Sequence, residues 1–336
     1  MTAVESVVRS AFALRRAVGC ALAAALLLAG SPAHAQSKRY ALIVQGASGE
    51  PQYATLHRRW LDELGGALRD ALRFESDAVT VLAERPGPGE GRATSEDVRA
   101  ALGRLAGVMG EPDLLFVMMI GHGSGAGDEA KFNLVGPDLS GGDWKGLLAP
   151  IKGRLVVVNA TSASVGFLMA LAAPGRVVIT ATNSPAQRYH TVFAGGFIQA
   201  LTAKPADLDQ NGRISMFEAF TYASRLVGQH YEQAGTLATE RALLDDTGDG
   251  EGRLAGGEGE DGAVAEATYL DTVAAPTSED PELQKLLLRQ QALTDEIDAL
   301  RRRRRTMPVE EYDREFERLV TELALVSSEI RRRGGG

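Results

Sequence analysis

From residue 39 onward the apolar positions fall into two kinds of run that alternate along the chain. Residues 40–44, 78–82, 114–119, 155–158 and 176–180 are short, nearly unbroken apolar runs, and they predict five strands. Continuous rather than every-other-residue apolarity implies strands covered on both faces, hence a parallel sheet between layers of helix. Between the strands the period lengthens. Leu56, Trp60, Leu64, Leu68 and Leu72 recur at helical spacing, and residues 94–105 open with a capping threonine and acids in the first turn. The alternation predicts a doubly wound, three-layer α/β domain with a mostly parallel sheet. Such sheets carry their sites beyond the carboxyl ends of the strands. Residues 45–50, 120–125, 159–164 and 181–188 are therefore the segments to inspect.

The two ends of the chain follow other patterns. Leu286, Leu293, Ile297 and Leu300 recur at helical spacing, and Tyr312, Phe316, Leu319, Leu323, Val326 and Ile330 follow in alternating steps of four and three. Thr306 and Pro308 interrupt the two runs, which predicts an antiparallel α-helical hairpin with a coiled-coil seam over residues 281–333. Residues 245–280 are rich in Gly, Asp and Glu and are expected to form a linker or mobile loop. At the start, Arg9, Arg15 and Arg16 precede an apolar run over residues 17–29 and a small-residue cleavage pattern ending at Ala35. That is the signature of a secretory signal peptide, residues 1–35, and implies a periplasmic or secreted protein. The apolar run is shorter than the roughly 20 residues of a membrane span. The expected plan is a signal peptide, an α/β domain over residues 36–244, an acidic linker over 245–280 and the helical hairpin.

Composition narrows the chemistry. A net charge of −8 argues against non-specific nucleic-acid binding. The basic run 301–305 ends a helix, where cations favour the dipole, and acids at 310, 311, 313, 315 and 317 follow it. It reads as a charged turn. The single cysteine, Cys20, lies inside the signal sequence, so the exported chain is expected to carry no thiol. Disulfides, cysteine-ligated zinc and thiol catalysis by its own residues are then excluded.

The strand-end segments carry a resemblance. Residues 40–60, 114–125 (with Gly121-His122-Gly123), 155–164 and 176–184, taken in that order, are similar to legumain-like and caspase-like cysteine peptidases across about residues 39–200. The resemblance implies a caspase-like fold. It places His122 on the family's catalytic histidine and Thr161 on its cysteine, with Ser162 next to it. A thiol near an imidazolium becomes a nucleophile by ionising, whereas a hydroxyl stays protonated and needs an aligned general base. The replacement points to loss of the peptidase chemistry. The residues alone also admit Thr161 and Ser162 as caps of the following helix.

The sharpest motif is residues 207–218, which fit an EF-hand-type calcium loop. Asp207, Asp209 and Asn211 stand at positions 1, 3 and 5, Gly212 at 6, Arg213 with its carbonyl at 7, Ser215 at 9 and Glu218 at 12. Ca²⁺ takes six to eight oxygens, and this spacing supplies them. A second stretch has Asp245, Thr247, Asp249 and Gly250 at the corresponding first positions, but its position 12 falls on Gly256, so it is expected to be a solvated acidic loop, with lending an oxygen to a second site as the alternative. These features together predict an exported, calcium-binding pseudo-peptidase that binds or scaffolds a protein or peptide ligand. Two other readings stay open: a hydrolase using Thr161 or Ser162 with His122, and an assembly protein that forms homo-oligomers through its helical tail.

Overall fold

The computed structural model describes residues 37–272 and 277–334; the expected signal peptide lies outside them. The chain lays down β1 (Arg39–Gln45), α1 (Pro51–Gly66), β2 (Val79–Ala83), β3 (Gly91–Arg92), α2 (Ser95–Val108) and β4 (Leu114–Ile120). Three short strands follow, β5 (Gly123–Ser124), β6 (Lys131–Phe132) and β7 (Leu139–Ser140), then α3 (Gly141–Leu148), β8 (Arg154–Asn159), α4 (Val165–Leu171) and β9 (Val177–Thr180). The remainder is α5 (Phe193–Ala200), α6 (Met216–Gln233), β10 (Leu243–Asp245), α7 (Ala263–Glu266), α8 (Pro281–Arg303) and α9 (Val309–Gly334). The main sheet has seven strands in the order β10-β9-β8-β4-β1-β2-β3. All neighbours are parallel except β10 on β9. Among the described residues no helix is long and apolar enough to cross a membrane.

The central apolar strands β1, β4, β8 and β9 are buried on both faces, as the sequence pattern requires, while β2 nearer the edge is only partly buried. Ala41 and Ile43 of β1, with Phe116, Met118 and Ile120 of β4, pack under α1, α5 and α6. Leu42 and Val44, with Leu115, Val117 and Met119, face α2, α3 and α4 on the other side. Helix starts are set by local chemistry. Pro51 opens α1, Thr94 Oγ1 accepts from the Asp97 amide at the start of α2, and Ser140–Asp143 forms a reciprocal capping box on α3. The strand order reverses between β1 and β4, so their carboxyl ends flank a crevice at the topological switch point.

Residues 245–272 depart from the expected linker. Asp245 pairs with Val178 at the end of β10, and Leu244 and Arg253 exchange two backbone hydrogen bonds. Asp246 is buried and its carboxylate accepts from the amides of Gly262, Val264 and Ala265. The organising groups here are buried carboxylates gathering backbone amides, and a hydropathy pattern does not register them.

Helices α8 and α9 lie against each other. Leu293, Ile297, Leu300 and Leu319 make a separate apolar cluster. Arg289 bridges to Glu322, and Gln290 Nε2 donates to Ser327 Oγ at 2.9 Å. Arg302 donates to the Ala267 carbonyl at 2.5 Å, tying α8 to the main domain.

Candidate functional site at the carboxyl edge of the sheet

His122 follows β4 directly, between two glycines with specific work. Gly121 has φ +143°, a conformation L side chains rarely adopt. Gly123 lies so close to the loop after β8 that a Cβ would sit 2.4 Å from the Ser162 carbonyl and 2.8 Å from Thr161 Oγ1. The loops bearing His122, Thr161 and Ser162 are thus adjacent. Their reactive atoms are not coupled. Thr161 and Ser162 are buried. Thr161 Oγ1 donates to Asn159 Oδ1 at 2.6 Å. Ser162 Oγ accepts from the Gly123 amide and donates to the Gly123 carbonyl, both at 3.2 Å. His122 Nε2 instead lies 3.1 Å from the Ser48 carbonyl. No hydrogen bond joins its ring to either hydroxyl among the described residues. Nor do these hydroxyls cap α4, whose N-cap is Ser164 without a side-chain cap bond. They stitch the loop to itself and to Gly123.

Two other histidines, outside every sequence motif, lie at the same place. His57 comes from α1, one turn beyond Tyr53, and His190 from the loop before α5. Ring centroids are 5.5 Å apart for His57–His122 and for His57–His190, and 6.0 Å for His122–His190. Tyr53 stacks on His190 at 4.6 Å, and Trp60 lies parallel to His190 at 5.6 Å. His57 is fully buried, with Nδ1 3.1 Å from Ser48 Oγ. Its Nε2, and both ring nitrogens of His190, are buried without a hydrogen-bond partner. Burial pushes His57 down to about 3, with His122 and His190 adding to the shift. Burial likewise takes His190 down to about 4, helped by His122 and His230. His122 is also lowered by burial, against the Ser48 carbonyl and Glu50, which favour its charged form. The one trace of it in the sequence is that His57 interrupts the apolar stripe of α1 between Tyr53 and Trp60, a position that by itself reads as core.

The two acidic loops lie elsewhere. In residues 207–218, Asp207 accepts from the amides of Asn211 and Gly212, and Asn211 Oδ1 accepts from Arg213 N. Glu218 accepts from the Leu208 and Asp209 amides through Oε1 and from Ser215 through Oε2. One oxygen from each of Asp207, Asp209 and Glu218 lies within 4.8 Å of the others. Arg213 points its guanidinium away, to Asp271 and over the Tyr269 ring. In the second loop Asp245 and Asp261 are buried rather than solvated. Gly256 supplies no carboxylate; Asp261, from five residues further on, lies within 4.8 Å of Asp245 and Asp249 instead.

No protein-family model matches the chain. No curated protein matches it either. Among solved structures, it is similar to protein GSU0716 from Geobacter sulfurreducens at a TM-score of 0.42 and 15% identity, over 62% of this chain and 92% of that one. It is similar to the Drosophila initiator caspase Dronc at a TM-score of 0.40 and 10% identity, over 64% of this chain and 81% of that one.

Proposed function

We propose that this is an exported, calcium-binding module of caspase-like architecture that holds a protein or peptide partner without peptidase chemistry. The caspase-like assignment draws on the strand-end segments and the mostly parallel sheet. The observation that carries the non-catalytic reading is the commitment of both candidate hydroxyls. Thr161 Oγ1 and Ser162 Oγ are buried and bonded to Asn159 and Gly123, while His122 Nε2 is at the Ser48 carbonyl. A hydroxyl nucleophile needs its base within about 2.6–3.2 Å, with a third group orienting that base. Calcium is supported by the donor set of residues 207–218, with Glu218 already held at the start of α6 by its bonds to Ser215. The α-helical hairpin completes the module, with the coiled-coil seam predicted over its two helices.

One preparation tests both parts. The purified protein should take no label from a fluorophosphonate probe, and labelling lost in His122→Ala would overturn the non-catalytic reading. Calcium should raise the melting temperature by mass action, with a dissociation constant of about 10⁻⁴ to 10⁻³ M, the range of extracellular modules. Glu218→Gln should remove most of that rise. An equal rise in the variant would mean that the loop is an acidic helix cap and no more.

A further inference from the structure

We propose that His57, His122 and His190 form a three-histidine site for a divalent transition ion of the zinc, copper or nickel class. The site is separate from the calcium loop, whose donors are all oxygen, and it holds whether or not the hydroxyls of Thr161 and Ser162 ever react. Imidazole nitrogens suit these ions, whereas calcium prefers oxygen.

Three observations converge on it. The first is geometry: one ring nitrogen from each histidine lies within 4.8 Å of the other two. Zinc about 2.0–2.1 Å from each nitrogen would need nitrogen separations of about 3.4 Å, so the rings close by about 1.5 Å at most. The second is the orphaned nitrogens. His57 Nε2 and both nitrogens of His190 are buried and unpartnered. Buried polar atoms in a folded chain nearly always have a partner, and a missing ion is a recognised reason for exceptions. The third is the support behind the rings. His122 Nε2 donates to the Ser48 carbonyl, which leaves Nδ1 with its lone pair free. His57 Nδ1 is at Ser48 Oγ, a hydroxyl that also accepts from Gln45 Nε2. With the proton on Nδ1 and donated to Ser48, the free lone pair falls on the orphaned Nε2. One residue, Ser48, thus orients two ligands, as outer-shell groups do at metal-bound histidines.

The placement fits a functional rather than a structural ion. Ser48 follows β1 and His122 follows β4, the two strands that flank the switch point. Three rings fill three of the four positions of a tetrahedral ion, and the fourth is left for water or for a donor atom of a bound ligand. Tyr53 and Trp60 wall the cluster with apolar surface.

The test uses the untagged full chain, stripped with chelator, dialysed against zinc in excess calcium and counted by elemental analysis. One equivalent of zinc should remain, and cobalt in its place should give the intense visible bands of a tetrahedral nitrogen-ligated ion. His190→Gln should weaken zinc binding by more than about 100-fold and abolish the cobalt bands. Ser48→Ala, which leaves all three ligands in place, should weaken it by about 10- to 100-fold. Asp207→Asn should leave it unchanged. Should His190→Gln fail the far-UV circular dichroism check for folding, His122→Gln supplies the same comparison. Retention of no zinc, or equal affinity in the folded histidine variant, would overturn the proposal.

Discussion

A single methyl group distinguishes two glycines of this chain that look alike on the page. At Gly123 the added carbon would meet the Ser162 carbonyl and Thr161 Oγ1, so Gly123→Ala must push two loops apart. The expected cost is about 1–3 kcal/mol, read from urea unfolding. Gly103 sits in the exposed interior of α2 with nothing near its missing Cβ. Gly103→Ala should therefore stabilise by about 0.5–1 kcal/mol, because alanine loses less backbone entropy in a helix. The sequence made part of this contrast legible. The strand-end pattern singled out the segments that carry His122, Thr161 and Ser162. Which atoms the two hydroxyls would bond was not legible. Thr161 turns back to Asn159, two residues away, and Ser162 reaches across to Gly123; both choices depend on loop coordinates that no spacing rule supplies. His57 was hidden for a different reason, since a histidine in an apolar helix stripe reads as core until its neighbours from other segments are known.

Among the elements, the strands and main helices were readable because each is an apolar run of characteristic period, bounded by caps and turns. The segment after α6 was not, because it is organised by buried acids. Glu240 shows how such a group ties loop to helix. Its carboxylate accepts from the Val192 and Phe193 amides at the start of α5. Burial raises it from 4.5 to about 7, although those two amides and Tyr231 favour the charged form. The native state therefore holds this proton more tightly than the unfolded chain. Its linked stability is fully present below about pH 4.5, falls as pH rises to about 7 and is level above. Urea melts of wild type and Glu240→Gln at pH 5 and pH 8 isolate the effect, because the other titrating groups are shared. The variant should gain about 2–3 kcal/mol relative to wild type on going to pH 8, and a difference independent of pH would contradict this account. Asp246 offers a test without pH. Asp246→Ala strands three buried amides, at about 1–3 kcal/mol for each group left without a partner. Limited proteolysis should then cut within residues 247–262, which stay intact in wild type.

For the molecule as a whole, α8 and α9 carry their own apolar cluster and meet the main domain through contacts such as Arg302 to Ala267. Leu293 is fully buried in that cluster. Leu293→Ala should cost about 2–5 kcal/mol there. Amide exchange should quicken in α8 and α9 while β1 and β4 keep their protection; equal loss everywhere would mean that the two regions unfold as one. The steps of four and three pick out Leu319, Leu323 and Val326, which pack in or against that cluster, whereas the point where the helix pair touches the domain was not legible. The sheet itself ends in very short strands. β3 has two residues, and the Ala93 carbonyl just beyond it already accepts from Val135. β10 has three, and Arg253 occupies the outer side of Leu244. An extended peptide laid alongside would find few free amides to pair with. Neither would a second copy of the chain, so the borders of the sheet resist stacking into larger β-structures. A partner of the kind proposed would meet side chains at the crevice or helix surfaces rather than the borders of the main sheet, and its selectivity would be written in side chains instead of backbone pairing.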